Sequence, residues 1–130
     1  MPASRPIVAG VDGSPASVAA VRYAVRLAER RRAPLHLVHA SQRPAGGYDP
    51  GELVERIRAE HPGLPAVHGG QVSGAAADVL IQLGRNAEIT VVGARGHGGF
   101  AGLLLGSVGH TLLRHARGPV AVVRAGGAGR

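Results

Sequence analysis

A glycine-rich segment in the last third of the sequence has the residue spacing of a phosphate-binding loop. Gly93 and Gly96 are separated by two residues. Nine residues separate Gly96 from Gly106, which Ser107 follows directly. Glycines let a phosphate oxygen approach several backbone amides closely, and the start of a helix presents further unpaired amides. The segment therefore predicts a site for a phosphorylated ligand, with the Ser107 hydroxyl as an additional donor.

Two loops of the predicted fold would carry this chemistry. The apolar run at residues 89–92 predicts a buried strand directly before Gly93, and the run at residues 6–11 predicts another that ends at Asp12. In parallel α/β sheets, ligands bind beyond the carboxyl ends of the strands. The loops that begin at Asp12 and at Gly93 are therefore expected to face each other.

The remaining elements follow from apolar periodicity and from turn residues. Further strands are predicted at residues 35–40, 65–72 and 119–123, the second of them at an edge of the sheet. Helices are predicted at residues 15–31, 50–61, 75–83 and 107–117. Strands that alternate with helices in this way predict an α/β fold, in which βαβ crossovers build a parallel sheet with helices on both faces.

Single residues predict several helix ends. Ser14 is expected to cap the first helix, because a proline follows it at the first helical position. Asp49, with Glu52 three residues on, has the form of a capping box for the second helix. Ser73 is expected to cap the third helix, and Gly84 to end it in a left-handed conformation.

The spacing of apolar residues predicts which side of each helix is buried. The core-facing stripe of the first helix is expected to contain Val18, Val21, Val25 and Ala28. The last helix is expected to direct four residues inward: Val108, Leu112, Leu113 and Ala116. Alternation in the second strand directs His36 and His39 to opposite faces of the sheet, and both are interpreted as half-buried strand residues rather than ligands.

The composition indicates one domain. The chain has 130 residues, 45% of them apolar, which is enough for a single core over residues 1–130, with flexible tails expected at residues 1–5 and 125–130. Apolar runs are short and no signal segment is visible, so a cytoplasmic protein without a membrane contact is expected. The sequence has no Cys, which excludes disulfides and thiolate catalysis. Any metal would need oxygen or His ligands, and no ligand set is predicted.

The basic charge comes from arginine alone. The formal net charge is +7, yet the chain contains no Lys. A P-loop nucleotide hydrolase and a protein kinase each need a lysine beside the phosphates, so neither mechanism is predicted. The arginines are dispersed apart from residues 30–32, and the sequence has three aromatic residues, too few for a base-stacking platform. Nucleic acid is therefore not the expected partner.

Five segments together resemble the universal stress proteins of the ATP-binding type. They are, in chain order, IVAGVDGS, LHLVHA, VVGARGHGG, LLLGSVGHTLLRHA and PVAVV. The resemblance implies a five-stranded parallel sheet of order 3-2-1-4-5 and a homodimer formed through the last strand, at residues 119–123. It also implies that ATP, or another adenine nucleotide, lies across the first and fourth strands. A bound Mg²⁺ would supply counter-charge to the triphosphate.

The resemblance also implies which residues contact the nucleotide. Asp12 would lie near the ribose, Ala40 would offer backbone groups to adenine, and Val92 would pack on the nucleotide. The remaining contacts would surround the ribose and phosphates: Gly93, Gly96, Gly106, Ser107 and Val108. Gly10, at the end of the first strand where some relatives have proline, is also expected among the nucleotide-binding residues. Two departures are the short segment at residues 41–74 and His110, which is interpreted as an exposed helix residue.

Several roles stay open at the level of sequence. Asp12 is interpreted either as a ribose ligand or as an Asx-type cap of the first helix. Arg95 is interpreted either as a phosphate counter-charge, ahead of Arg114, or as an exposed loop charge. Hydrolysis is not predicted, because apart from Asp12 neither loop carries an acidic residue to position water. The alternatives are a weak ATPase or autophosphorylating protein, and an interaction module that uses its basic surface without nucleotide.

Overall fold

The computed structural model describes residues 4–42, 48–94 and 106–125. The strands in this part of the chain are β1 (Ile7–Gly10), β2 (Leu35–Ser41), β3 (Val67–Ser73), β4 (Ile89–Gly93) and β5 (Val120–Val123). The helices are α1 (Pro15–Arg31), α2 (Gly51–Glu60), α3 (Ala76–Gly84) and α4 (Ser107–His115). Strands and helices alternate in the predicted order, and each bound lies within two residues of the predicted one.

The strands form one parallel sheet of order β3-β2-β1-β4-β5, which confirms the expected fold. Central β1 pairs with β2 on one side and with β4 on the other, so that Ile7 lies opposite both Leu35 and Ile89. The strand order reverses at this point. The carboxyl ends of β1 and β4 therefore border the crevice in which doubly wound sheets bind ligands.

Each face of the sheet has its own apolar core. On one face, α1 and α2 cover Ile7 and Leu37, which are completely buried. On the other, α3 and α4 cover Val8 and Val38. Successive residues of a strand point to opposite faces, so a central strand must be apolar at nearly every position. This requirement explains why the apolar runs of β1 and β4 were the clearest strand signals.

Helix α1 begins as predicted and buries a wider stripe than predicted. The Ser14 hydroxyl accepts a hydrogen bond from the Ser17 amide and caps the helix. Ala20, Ala24 and Ala28 are completely buried, and their small side chains allow the helix to pack closely on the sheet. Val18 is 44% exposed, so its predicted place in the core is wrong. The core-facing stripe passes through the alanines.

The predicted capping box of α2 is wrong. The residue at the N-cap position is Pro50, and it makes no side-chain hydrogen bond to the helix. Asp49 Oδ1 instead accepts a hydrogen bond from the Gly51 amide, 2.9 Å away. This is a local Asx turn, in which the carboxylate engages the backbone two residues ahead and the helix begins only after the turn.

Both predicted ends of α3 are also wrong. Ser73 is the last residue of β3, opposite Ser41, and Gly74, with a φ of 137°, separates it from the helix. Gly84 is a helical residue rather than a left-handed terminus. A Cβ atom there would lie 2.8 Å from Thr90 Oγ1 in β4. The glycine therefore allows close contact between α3 and the sheet.

Helix α4 contributes less to the core than its sequence suggested. Leu112 is buried, whereas Leu113, the next residue, is 56% exposed, so its predicted burial is wrong. One helical position corresponds to a rotation of about 100°, which turns Leu113 away from the sheet. His110 is exposed, as predicted. Across the described ranges, the structure contains no helix long and apolar enough to cross a membrane.

Candidate nucleotide-binding site

A cavity of about 230 Å³ opens at the carboxyl ends of β1, β2 and β4. Six of the ten residues predicted from the sequence line it: Gly10, Asp12, Ala40, Val92, Gly93 and Val108. Gly106 is the N-cap residue of α4, and Ser107 is its first residue. Arg95 and Gly96 lie outside the described residues. The fold thus brings the starts of the two predicted loops to one crevice.

Two glycines allow the elements around the cavity to pack closely. A Cβ atom at Gly10 would lie 2.9 Å from Leu80 Cδ1 of α3. A Cβ atom at Gly93 would lie 2.7 Å from the carbonyl carbon of Ala16, in the first turn of α1. Both distances are shorter than real Cβ contacts. At Gly93 the contact is with backbone, so glycine is required there independently of any ligand, whereas the contact at Gly10 is with the end of a leucine side chain that can shift.

The turn that follows β1 is fixed by a short set of hydrogen bonds. Asp12 Oδ1 accepts a hydrogen bond from the Ser14 amide at 2.9 Å, and the Asp12 amide donates to Ser17 Oγ at 3.1 Å. Gly13 has a φ of 81°, a backbone conformation that residues other than glycine rarely adopt. Asp12 therefore forms the Asx-type turn considered from the sequence and also lines the cavity.

His39 lines the cavity, although the sequence interpretation treated it as a strand residue only. Its Nδ1 lies 2.8 Å from the carbonyl oxygen of Val11. A carbonyl oxygen only accepts hydrogen bonds, so Nδ1 is the donor, and in the neutral ring Nε2 is left as an acceptor. Tyr48 packs edge-on against this ring at 5.7 Å between centroids. The signal that could have identified His39 was its position directly before Ala40 at the end of a strand.

His39 and His36 occupy different sides of the sheet, as alternation predicted. His36 lines a second cavity on the α3 side, together with residues of β3. The further cavity residues that the sequence interpretation missed include Ser14, Ser17, Ala76 and Leu80. They belong to α3 and to the start of α1, which sequence periodicity alone could not place over a particular strand end.

The start of α4 provides the donors that a phosphate would need. The first amides of a helix have no acceptor within the helix, and Gly106 supplies no side-chain cap. The Gly106 amide donates to the carbonyl oxygen of Ala94, which joins the described ends of the glycine-rich loop. Arg114 lies in the last turn of α4, at the end remote from Ser107. Arg114 is therefore a poorer candidate for a phosphate counter-charge than the sequence alone suggested.

The profile of the universal stress protein family matches residues 3–124. The chain belongs to this family. Universal stress protein Rv2623 of Mycobacterium tuberculosis strain H37Rv is 38% identical over 141 residues, an alignment that covers 90% of this chain and 46% of the relative. Universal stress protein Mb2028c of Mycobacterium bovis is 36% identical, with 95% and 46% covered. The chain thus spans about half the length of these curated relatives.

Solved structures of other family members have the same fold. UspA from Lactobacillus plantarum superposes with a TM-score of 0.76 at 19% identity, over 95% of this chain and all of that one. A universal stress protein solved in complex with cAMP has a TM-score of 0.73 at 31% identity, with 95% and 99% covered. This universal stress protein domain therefore has relatives both in sequence and in architecture over nearly its whole described length.

Proposed function

We propose that this universal stress protein domain binds an adenine nucleotide, ATP in the first place, and acts as a regulator rather than as an enzyme. The observation that carries the proposal is the cavity itself, which places Asp12 and the first turn of α4 at one crevice, beyond the ends of β1 and β4. Ribose-reading carboxylates and phosphate-binding helix starts occupy this position in nucleotide-binding α/β folds.

In the proposal, different residues of the cavity contact the adenine, the ribose and the phosphates of the nucleotide. Ala40 and the ring of His39 border the side assigned to adenine, and the Nε2 acceptor of neutral His39 suits the exocyclic amino group of adenine rather than the O6 oxygen of guanine. Asp12 follows β1, which lies between β2 and β4 in the sheet. In the proposal, Gly93, Gly106, Ser107 and Val108 surround the ribose and phosphates, joined by Arg95 and Gly96.

The size of the cavity agrees with a bound nucleoside. Its volume of about 230 Å³ is below the roughly 300 to 1,000 Å³ usual for small-molecule sites, and the proposal assigns this enclosed part to adenosine. The relative solved with cAMP supports the adenosine assignment, because cAMP and ATP share that moiety. The phosphates, with Mg²⁺ in the case of ATP, would then lie over the start of α4.

A thermal shift experiment tests the proposal directly. At a hundredfold excess over Kd, a ligand that binds only the folded state stabilises it by about 2.7 kcal/mol. We expect a shift with ATP and Mg²⁺ and a smaller one, or none, with GTP. AMP and cAMP, tested in parallel, would show how much of the affinity comes from the phosphates. Absence of a shift with all four nucleotides at millimolar concentration would overturn the proposal.

A pair of variants locates the ligand. Ala40→Phe fills the cavity from the end of β2 and should remove the nucleotide shift. Its matched control is Val72→Phe, because Val72 is the partner of Ala40 in β3, is 40% exposed and does not line this cavity. Equal shifts in the two variants would mean that the nucleotide binds elsewhere. Both variants are first compared with the parent chain by circular dichroism.

Slow or absent hydrolysis is part of the proposal. Among the described residues that line the cavity, Asp12 is the single carboxylate, and its Oδ1 is already engaged by the Ser14 amide. An enzyme would need a group that positions water beside the terminal phosphate. Sustained release of ADP that disappears in Asp12→Ala would instead favour the weak ATPase considered from the sequence.

We further propose a cytoplasmic homodimer formed through β5. This strand pairs only with β4 in the described sheet, and the carbonyl groups of Pro119 and Val123 point toward β4. Backbone groups alternate in direction along a strand, so those of Val122 point to the open edge. Val122→Pro should abolish the dimer while the monomer still folds, and Val122→Ala should remain dimeric. Sedimentation velocity distinguishes a dimer from a monomer in these variants.

The cytoplasmic location is tested separately, by cell fractionation.

A further inference from the structure

Two histidines face each other across β2 and β3, away from the nucleotide cavity. His36 and His68 are direct partners in the parallel register of these strands. Their ring centroids are 5.4 Å apart, with an interplanar angle of 66°. His36 lies four positions before Ala40 in β2. At about 3.3 Å per residue, the pair is more than 10 Å from the end of the strand at which the nucleotide is proposed to bind.

Open space lies beside this pair. Both histidines line a cavity of about 190 Å³ on the α3 side of the sheet, and Val72 and Leu83 are among its other lining residues. Gly70 is on the same face as His68, two residues further along β3, and a Cβ atom there would meet nothing within 4 Å. His36 is half-buried, whereas His68 is exposed. An ion could therefore reach the two rings from solvent and retain water ligands.

We propose that His36 and His68 bind a divalent transition-metal ion of the kind that imidazole prefers, Cu²⁺, Ni²⁺ or Zn²⁺. A ligating imidazole nitrogen lies about 2 Å from such an ion, so two rings that hold one ion have centroids roughly 5 to 6 Å apart. The observed separation lies within this range. The shared register of the two strands holds the two residues side by side, so side-chain rotation is enough to direct a nitrogen of each ring at one ion.

The proposed site is open rather than closed. Among the described residues, no group of three His, Asp or Glu side chains is arranged to hold a metal ion. Water or an external ligand would therefore complete the coordination. Two imidazoles without a third protein ligand give a readily exchangeable site, and the order of affinities should follow Cu²⁺ above Ni²⁺ and Zn²⁺. This inference does not depend on nucleotide binding.

Calorimetric titration of the full chain with Cu²⁺, Ni²⁺ and Zn²⁺ chlorides, without nucleotide, tests the site. The parent protein should bind one Cu²⁺ ion per chain at this pair, and His68→Gln should weaken that binding at least tenfold. His68 is exposed, so this variant is expected to fold normally. His36→Gln should have the same effect. The matched control is His110→Gln, on the exposed side of α4, which should bind as the parent does.

Electron paramagnetic resonance of the Cu²⁺ complex provides a second readout. Coupling to nitrogen from two imidazoles should be seen in the parent protein, and coupling from one in His68→Gln. Unchanged affinity and unchanged nitrogen coupling in both single variants would overturn the proposal and would mean that the rings only stack on each other. The nucleotide shift should be the same in His68→Gln as in the parent, which separates this test from that of the proposed function.

Discussion

Gly93, at the end of β4, lies directly against the backbone of Ala16, in the first turn of α1. A Cβ atom at Gly93 would be 2.7 Å from the carbonyl carbon of Ala16 and 2.8 Å from its carbonyl oxygen. Both residues are next to the cavity, where α1 begins and the glycine-rich loop leaves the sheet. The first glycine of the motif therefore allows α1 to pack closely against the end of β4, independently of any role in ligand binding.

Substituting Gly93 should consequently reduce stability even without nucleotide. Gly93→Ala places a methyl group against rigid backbone, and we expect the free energy of unfolding to fall by about 1 to 3 kcal/mol, as in overpacked cores. Urea denaturation followed by circular dichroism measures the change. The matched control is Gly70→Ala in β3, where the added Cβ meets open space. A control that loses as much as Gly93→Ala would contradict the packing argument.

The two roles of Asp12 can be separated by two substitutions. Asp12→Asn keeps an oxygen that can accept the Ser14 amide, so stability should change little while nucleotide affinity decreases. Asp12→Ala removes both the turn and the ligand contact, and should also lower the free energy of unfolding by about 0.5 to 2 kcal/mol. Parallel denaturation and thermal-shift measurements test this. Equal nucleotide affinity in Asp12→Asn and the parent would exclude a role for the charge.

The cap of α1 gives a prediction about stability alone. Ser14 is 2% exposed and its hydroxyl accepts the Ser17 amide at 3.2 Å. Ser14→Ala should therefore lower the free energy of unfolding by about 1 kcal/mol. Ser14→Gly should lower it by only a few tenths of a kcal/mol, because glycine is itself tolerated at an N-cap. Urea midpoints of the two variants make the comparison. A larger loss in the glycine variant would point to packing rather than to the hydrogen bond.

Stability should decrease in mild acid because of His36. Burial, and secondarily the nearby His68, lower the pKa of His36 from its usual value of 6.5. The unfolded chain therefore takes up this proton before the folded chain does. The stability that His36 contributes as a neutral ring is fully present above pH 6.5. It is lost as the pH falls through the lowered folded-state pKa.

Denaturation midpoints of the parent and His36→Gln, measured between pH 7.5 and 5.5, test this expectation. The parent should lose more stability over that range than the variant. His68→Gln removes the smaller of the two causes and should give an intermediate slope. If stability falls with pH equally steeply in the parent and in His36→Gln, the His36 ring does not contribute to the pH dependence.

Two kinds of sequence signal differ in how far they determine this fold. The strand runs and the order of elements were predictable, because burial on both faces demands uninterrupted apolar residues. The cap at Ser14 was predictable because its hydrogen bond is local. The predictions for Asp49 and Gly84 were wrong because each of these residues suits several local conformations. Asp49 forms a local Asx turn instead of a capping box, and Gly84 stays helical and packs against Thr90 instead of ending the helix.

The sequence by itself determined the alternation of elements, the glycine spacing of the loop and the absence of lysine and cysteine. Only the tertiary structure decided which distant residues meet. It packed Gly93 on Ala16, placed His39 in the cavity and set His36 opposite His68. The physical reason is that strand register and helix packing are settled by long-range contacts, each of which joins residues far apart in the chain and leaves no trace in local composition.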